Sequence, residues 1–298
     1  MSNRNKAIQQ MSFKQWEAAF PTEDDCSAYL VAHRWPSGKV KCPRCGSENV
    51  YELKTRKWHW ECPDCRTGGA YRFSDITGTI FENTNKDLRD WFRVIHLMLT
   101  AKKGISALQV QRQLGFGSYR TAWYMCHRIR AGLANEEFRK LMGIVEVDET
   151  GIGGDDSNRH KDKKKGKKGK IIVIGAIERK GNVVARVITR CDHYDMENFV
   201  HMVCGDKVSL VATDEHLGYR HLKDHYNHGT VVHSRKQYVV GAIHTNTIEG
   251  FWSLFKRSIV GSFHKVSAKY LPLYIAEAQF RYNNRHNGDI FGLAIAGL

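Results

Sequence analysis

The sequence predicts a chain of several parts that ends in a mixed α/β domain, and three features predict it. Two Cys-x-x-Cys pairs stand close together in the first quarter of the chain. A middle stretch carries apolar residues at helical spacing. Beyond Ile144 the apolar residues come in short unbroken runs, as buried strands require, before helical spacing returns. At 298 residues, with 42% hydrophobic residues and 5 prolines, the chain has the length for about two domains with self-sufficient cores.

The first part, residues 1–39, reads as helical, with Trp16, Phe20, Tyr29, Leu30 and Trp35 between positions 11 and 35. The second, residues 40–75, holds Cys42-Pro43-Arg44-Cys45 and Cys62-Pro63-Asp64-Cys65 with 16 residues between the pairs. That spacing predicts a zinc ribbon, each pair forming a knuckle that presents two thiolates. β-like runs at Val50-Tyr51-Glu52-Leu53 and Trp58-His59-Trp60-Glu61 bring the knuckles together. Four thiolates close the tetrahedron, so Cys42, Cys45, Cys62 and Cys65 are expected to hold a structural Zn²⁺ with no open position. His59 is then a surface or packing residue. Cys26, Cys126, Cys191 and Cys204 follow no pattern and read as buried fillers or idle thiols.

The third part, residues 86–140, reads as helices separated by glycine turns. Leu88, Trp91, Phe92, Ile95, Met98 and Leu99 share one helical face. A short helix from Ser106 to Leu114 closes at Gly115-Phe116-Gly117, and Ser118 opens another over Tyr119 to Leu133. The arrangement resembles a helix-turn-helix, whose last helix, with Arg120, Arg128 and Arg130, would meet DNA. A plain helical connector is the bland alternative.

The fourth part, residues 144–298, opens with a strand ending at Asp148, then a hairpin of Ile171 to Ile177 and Val183 to Thr189. A helix over Asp195 to Val203 leads into a strand ending at Asp214. A helix over Gly218 to Tyr226, a strand near Thr230-Val231-Val232 and two long helices complete it. Three antiparallel strands, a helix, further strands and closing helices outline a ribonuclease-H-like α/β catalytic domain. A basic loop, 157–170, interrupts it and includes Lys163, Lys164, Lys165, Lys167 and Lys168. Like charges at that density stay solvated, and on this chain they suit a DNA backbone.

Three carboxylates carry the chemistry. Asp148 and Asp214 end strands, and Glu249 lies near the start of an amphipathic helix with Ile248, Phe251, Trp252, Phe255 and Ile259 on its apolar face. Oxygen-only ligands of this kind suit Mg²⁺ (or Mn²⁺), and two such ions clamp a phosphodiester during its displacement. Lys256, two helical turns beyond Glu249 on the polar stripe, would hold a phosphate. Glu149 would face away from Asp148 if the strand persists. Lys and Arg outnumber Asp and Glu by 46 to 31, a formal net charge of +15 that favours a polyanionic partner. No run approaches the ~18 apolar residues of a membrane span. With no apolar core following Met1 to Lys6, the expectation is a cytoplasmic, nucleoid-associated protein without membrane contact.

These residues also carry a family resemblance. Val145-Glu146-Val147-Asp148-Glu149-Thr150 with Gly153-Gly154, Thr213-Asp214, His244 to Arg257 and Phe280-Arg281-Tyr282-Asn283-Asn284-Arg285 resemble the motifs of bacterial insertion-sequence transposases. They are most similar to the zinc-ribbon group called the insertion-sequence fifteen-ninety-five family. The resemblance implies a DDE-type transposase that cuts and joins the terminal inverted repeats of its own element and target DNA with Mg²⁺, as a homodimer or higher oligomer once synapsed. Members vary at the third ligand, where an Asn is sometimes cited, so Asn246 stands beside Glu249 as the alternative. Gly151 departs from the aromatic residue the family usually places after Asp-Glu-Thr. Two other readings stay open: a metal-dependent nuclease or junction resolvase without strand transfer, and a catalytically silent DNA-binding regulator derived from a transposase.

Overall fold

The structure, a computed structural model, describes residues 11–65, 70–134, 138–153, 170–231 and 243–297. They fall into two compact units, one running to Leu133 and including the chain from Arg285, the other spanning Ala134 to Asn284.

The first unit opens with α1 (Phe13–Ala19) and α2 (Glu23–Arg34). Pro21 divides what reads as one helical stretch, because its ring cannot continue a helix. Thr22 then starts α2 with a capping box: its hydroxyl accepts from the Asp25 amide at 3.3 Å, and the Asp25 carboxylate accepts from the Thr22 amide at 3.0 Å. The ribbon follows as β1 (Tyr51–Glu52), β2 (His59–Cys62) and β3 (Tyr71–Ser74), antiparallel in that order. The third strand has no counterpart in the sequence reading, since four residues are too few for alternation to register. Trp35, Trp60 and Phe73 form the ribbon's small core beside Cys42, Cys62 and Cys65. The sulfurs of Cys42 and Cys65, and of Cys45 and Cys62, stand 3.7 Å apart, and all four lie within 4.8 Å of one another. A zinc tetrahedron with Zn–S of ~2.3 Å has edges of ~3.8 Å, so these four thiols fit Zn²⁺.

Three helices follow: α3 (Leu88–Thr100), α4 (Ala107–Leu114) and α5 (Tyr119–Gly132). Gly115 ends α4 at φ 65°, a left-handed conformation that glycine adopts without penalty. Ser118 then caps α5 by accepting from the Arg120 amide at 3.2 Å.

The second unit is a five-stranded sheet of β4 (Leu141–Ile152), β5 (Ile171–Glu178), β6 (Val183–Ile188), β7 (Cys204–Thr213) and β8 (His228–Thr230). Its order is β6-β5-β4-β7-β8, with β4-β5 and β5-β6 antiparallel and β4-β7 and β7-β8 parallel. Alternation along the strands sends Val145, Val147, Ile174 and Ala176 to one face, against Met196, Phe199, Val200 and Val203 of α6 (His193–Val203). The other face sends Ile152, Val173 and Ile177 against Ile248, Phe251, Trp252 and Phe255 of α7 (Asn246–Ser258), with Leu271 and Ile275 of α8 (Leu271–Asn283). The expected helix over Gly218 to Tyr226 is instead two single 3₁₀ turns, Leu217–Tyr219 and Leu222–Asp224. Side chains take the amides that would start a helix: Asp214 accepts from His216, and His216 from Gly218, each at 3.0 Å.

Two devices lock the α7–α8 side. The outer strand β6 would expose an unpaired edge. Asn283 accepts from the Val183 amide at 2.7 Å and donates to its carbonyl at 3.0 Å, while Gln279 accepts from the Ala185 amide at 2.9 Å. The second device is Glu146, fully buried within β4. Its carboxylate accepts from the amides of Thr247 (2.7 Å) and Ile248 (3.1 Å), from the Thr247 hydroxyl (2.9 Å) and from Arg179 Nε (2.6 Å). Thr245, the N-cap of α7, makes no side-chain cap of its own. A strand residue about a hundred positions away caps the helix instead.

The last helix, α9 (Ile290–Gly297), belongs to the first unit, which shortens the domain expected to run from 144 to 298. Phe291 sits among Phe20, Tyr29 and Phe92 at ring-centre distances of 5.6, 5.9 and 5.6 Å. Such an apolar helix needs an apolar seat, and the aromatic cluster supplies it.

Two outcomes are expected from this framework. Purified protein should carry about one zinc per chain by metal analysis, and Cys62→Ser should lose it, with fast amide exchange across residues 40–75. Glu146→Ala should cost roughly 3–5 kcal/mol in denaturant unfolding, because it leaves two helix amides without an acceptor and the half-buried Arg179 with only the His244 carbonyl. A loss below about 1 kcal/mol would mean that Glu146 does not hold α7.

Candidate active site

The site grows from three elements of the second unit. Strand β4 does not end at Asp148, as its apolar run implied, but continues to Ile152. Asp148 therefore sits inside the central strand, paired across to Gly175 of β5, and shares its face with Glu146 by alternation. On the other side β4 runs parallel to β7, with Ile144, Val145 and Glu146 opposite Leu210, Val211 and Ala212. Extending that register by two residues sets Asp214, the residue after β7, beside Asp148. Glu249 stands in the first turn of α7, where its carboxylate accepts from the Thr245 hydroxyl at 2.8 Å.

Electrostatics register the convergence. The Asp148 carboxyl is pushed up from 3.8 to about 7, by burial first and then by the negative charges of Glu149, Asp214 and Glu249. Four carboxylates act on one another at one end of the sheet, although the oxygens of Asp148, Asp214 and Glu249 do not all come within 4.8 Å of one another, and the described residues bring no cation among those causes. Such a group gains from a divalent cation.

Gly175 makes this approach close enough. A Cβ there would lie 2.6 Å and 2.8 Å from ring carbons of Trp252. With hydrogen in its place, the indole lies against the sheet beside Asp148 and draws α7 down onto it.

Glu149 lies on the opposite face, as alternation predicts. The buried Tyr219 hydroxyl donates to its carboxylate at 2.7 Å. Burial, and then the Glu149 charge, hold that hydroxyl protonated well above its ordinary range. Glu149, Cys191 and His216 also offer ligand atoms within 4.8 Å of one another. The Nδ1 of His216 accepts the Gly218 amide, however, so the neutral ring carries its proton on Nε2, towards Glu149. With a proton on Nε2, 4.0 Å from Glu149, the ring offers this trio no lone pair for an ion.

The other residues that the sequence singles out divide. Asn246 and Lys256 are exposed on α7, Lys256 about 10 Å along the helix from Glu249 at ~1.5 Å per residue. His244 Nδ1 approaches Glu146 at 3.2 Å. Gly151 lies within β4, and a Cβ there would meet Lys170 at 3.0 Å, so this departure leaves the strand intact. Arg120 is exposed, whereas Arg128 turns inward, donating to the Glu82 carbonyl at 2.9 Å. Arg130 is 2% exposed and does not present its guanidinium to a duplex. Position 130 falls on the inward face of α5 with Cys126 and Ile129, a phase the arginine pattern conceals. Lys163, Lys164, Lys165, Lys167, Lys168 and His233 lie outside the described residues.

Sequence reasoning missed Glu146, Arg179, Gly175 and Tyr219. A signal exists for Glu146, since a carboxylate within an apolar strand must find a partner. Nothing local marks the others.

Comparisons with known proteins agree with this layout. Residues 140–283 match the family described as the ISXO2-like transposase domain, and residues 21–74 the transposase zinc-ribbon domain. A relative described as an uncharacterized protein in transposable element ISH50 of Halobacterium salinarum is 28% identical over 283 residues, 88% of this chain and 91% of that protein. Among solved structures, a chain of the simian T-cell lymphotropic virus intasome in complex with PP2A regulatory subunit B56 gamma aligns at 14% identity with a TM-score of 0.30. That alignment spans 64% of this chain and 65% of the other, just under two thirds of its length. It is too slight to assign a fold by. Two domain matches in their expected order, with a relative from a transposable element over nearly the whole length, give the conclusion: this chain belongs to the insertion-sequence transposases that place a zinc ribbon ahead of an ISXO2-like transposase domain.

Proposed function

We propose that the chain binds the terminal inverted repeats of its insertion sequence and catalyses Mg²⁺-dependent DNA cleavage and strand transfer. The observation that carries this reading is the gathering of Asp148, Asp214 and Glu249 at one end of the sheet, at the cost of raising the Asp148 carboxyl to about 7. A strand order of three antiparallel strands followed by two parallel ones supports a ribonuclease-H-like core. The α4–Gly115–α5 turn supports a helix-turn-helix-like part within 86–140.

Asp148, Asp214 and Glu249 would together hold the divalent ions. Bound Mg²⁺ would lower the proton affinity of an attacking water or DNA 3′-hydroxyl and stabilise the departing oxygen. The protein's own part is positional. Glu146 and Arg179 fix the start of α7, the Thr245 hydroxyl orients the Glu249 carboxylate, and Lys256 offers a cation to the adjoining phosphate. In this reading recognition lies in residues 40–75 and 86–140 and chemistry in the domain from about 140 to 284. Synapsis of two element ends calls for a homodimer or larger assembly.

Substitution should separate recognition from chemistry. Asp148→Asn, Asp214→Asn and Glu249→Gln should each lower cleavage of a terminal-repeat substrate by about a hundredfold or more, the scale on which one preorganised electrostatic group counts. End binding should stay within about threefold. Lys256→Ala should cost about tenfold, the worth of one charge-assisted hydrogen bond. Asn246→Ala should cost less than Glu249→Gln, and the reverse order would move the third ligand to Asn246. Cleavage without joining of a pre-cut end would leave the nuclease reading in place.

Thermal unfolding tests the charge cluster. The folded Asp148 carboxyl keeps its proton to about 7 while the unfolded one loses it near 3.8, so this group lowers stability as pH rises between those values. Without divalent ions, Asp148→Asn should therefore melt above wild type at pH 8, and the gap should close by about pH 4. Millimolar Mg²⁺ should raise the wild-type melting point and leave Asp148→Asn nearly unmoved.

A further inference from the structure

A cleft of about 390 Å³ opens in the first unit between the segment before α3 and the first turns of α5. Its walls include Lys86, Arg120 and Arg128, with Trp91 and Tyr124, and no carboxylate is among the described residues that line it. The Arg128 guanidinium is fixed before any ligand arrives, bonded to the Glu82 carbonyl and lying 5.5 Å over the Trp91 ring. Arg120 lies 6.0 Å over the Tyr124 ring, and that ring is 52% exposed. Ser118 caps α5 at the cleft, so the positive end of a 14-residue helix adds to the three cations.

We infer that this cleft binds one unpaired nucleotide of DNA, its phosphate among Lys86, Arg120 and Arg128 and its base stacked on Tyr124. Two observations choose this over a simple contact to the duplex backbone. The volume exceeds what a phosphate group occupies and lies in the range of small-molecule sites, about 300–1,000 Å³. A half-exposed aromatic ring beside clustered cations is the combination that holds single-stranded nucleic acid, where stacking is indifferent to base identity. An acidic peptide would use the cations and leave the ring without a partner. The nucleotide comes either from a single-stranded overhang at an element end or from a base turned out of the duplex. Both present the same chemistry. The inference rests on the reading of this chain as a DNA-binding transposase.

The test uses the full chain, without divalent ions so that no cleavage occurs, and fluorescence anisotropy on three DNAs of one sequence. One is a blunt duplex, one carries a short 5′-phosphorylated overhang, and one has a single mismatch that loosens an internal base. Wild type should bind the overhang DNA, the mismatched DNA or both about tenfold tighter than blunt duplex, the size of one base–aromatic stack. Preference for the overhang alone identifies the strand end as the source, and preference for the mismatch identifies an extruded base. Tyr124→Ala should erase the preference and Tyr124→Phe should keep it, while Arg120→Ala should flatten the salt dependence by about one phosphate contact. A 2-aminopurine at the unpaired position should be quenched by wild type and Tyr124→Phe, and not by Tyr124→Ala. Equal binding to all three DNAs, or an equal loss on all three with Tyr124→Ala, overturns the inference while leaving the transposase reading intact. Failure to bind any DNA, or tight binding of an acidic peptide instead, overturns both.

Discussion

The second unit hangs on one buried carboxylate. Glu146 is fully enclosed in the central strand, and its two oxygens accept from two amides and a hydroxyl at the start of α7 and from Arg179 at the end of β5. A carboxylate is expensive to bury, and helix amides without partners are too. Each is tolerable because the other is there. The arrangement is also a ruler. Asp148 is two residues along the strand from Glu146, and Glu249 is one to two residues along the helix from the capped amides. Joining Glu146 to Thr247 and Ile248 brings Asp148 and Glu249 near each other over a short connecting chain.

That constraint matters because the site pushes itself apart. Asp148 lies among Glu149, Asp214 and Glu249, and both burial and like charge disfavour its ionised form. A looser unit would relax by carrying α7, with its exposed Glu249, away from Asp148. Three features oppose this: the Glu146 cap, the Trp252 ring seated on Gly175, and the side chains of α8 stitched to the open edge of β6.

Much of this is legible in the sequence. The zinc knuckles, the Ser106 and Ser118 caps, α7 with its apolar face and the hairpin of β5 and β6 all follow from local pattern, and they appear where pattern puts them. What escapes depends on contacts between distant segments. Gly175 has meaning because Trp252 lies above it, and Asn283 because Val183 is an edge residue. The helix expected over Gly218 to Tyr226 does not form because helical spacing says nothing of the side chains of Asp214 and His216, which hold the first amides in tight turns. Arg130 reads as outward because its charge suggests exposure, whereas the phase of α5 turns it in.

The same reasoning separates the two carboxylates that neighbour each other in sequence. Asp148 and Glu149 differ by one position, and a strand sends them to opposite faces. Burial and the Asp214 charge push the Glu149 carboxyl up as well, but Glu149 meets a buried tyrosine that keeps its proton and donates it as a hydrogen bond, which opposes that rise. Asp148 meets carboxylates and has no such donor among the causes that set its proton affinity beyond its neighbour's backbone. A donor satisfies an anion, and a second anion makes it seek a cation. The alternation of one strand therefore gives the two neighbours different surroundings: Glu149 ties the sheet to the turn after Asp214, and Asp148 is left among carboxylates.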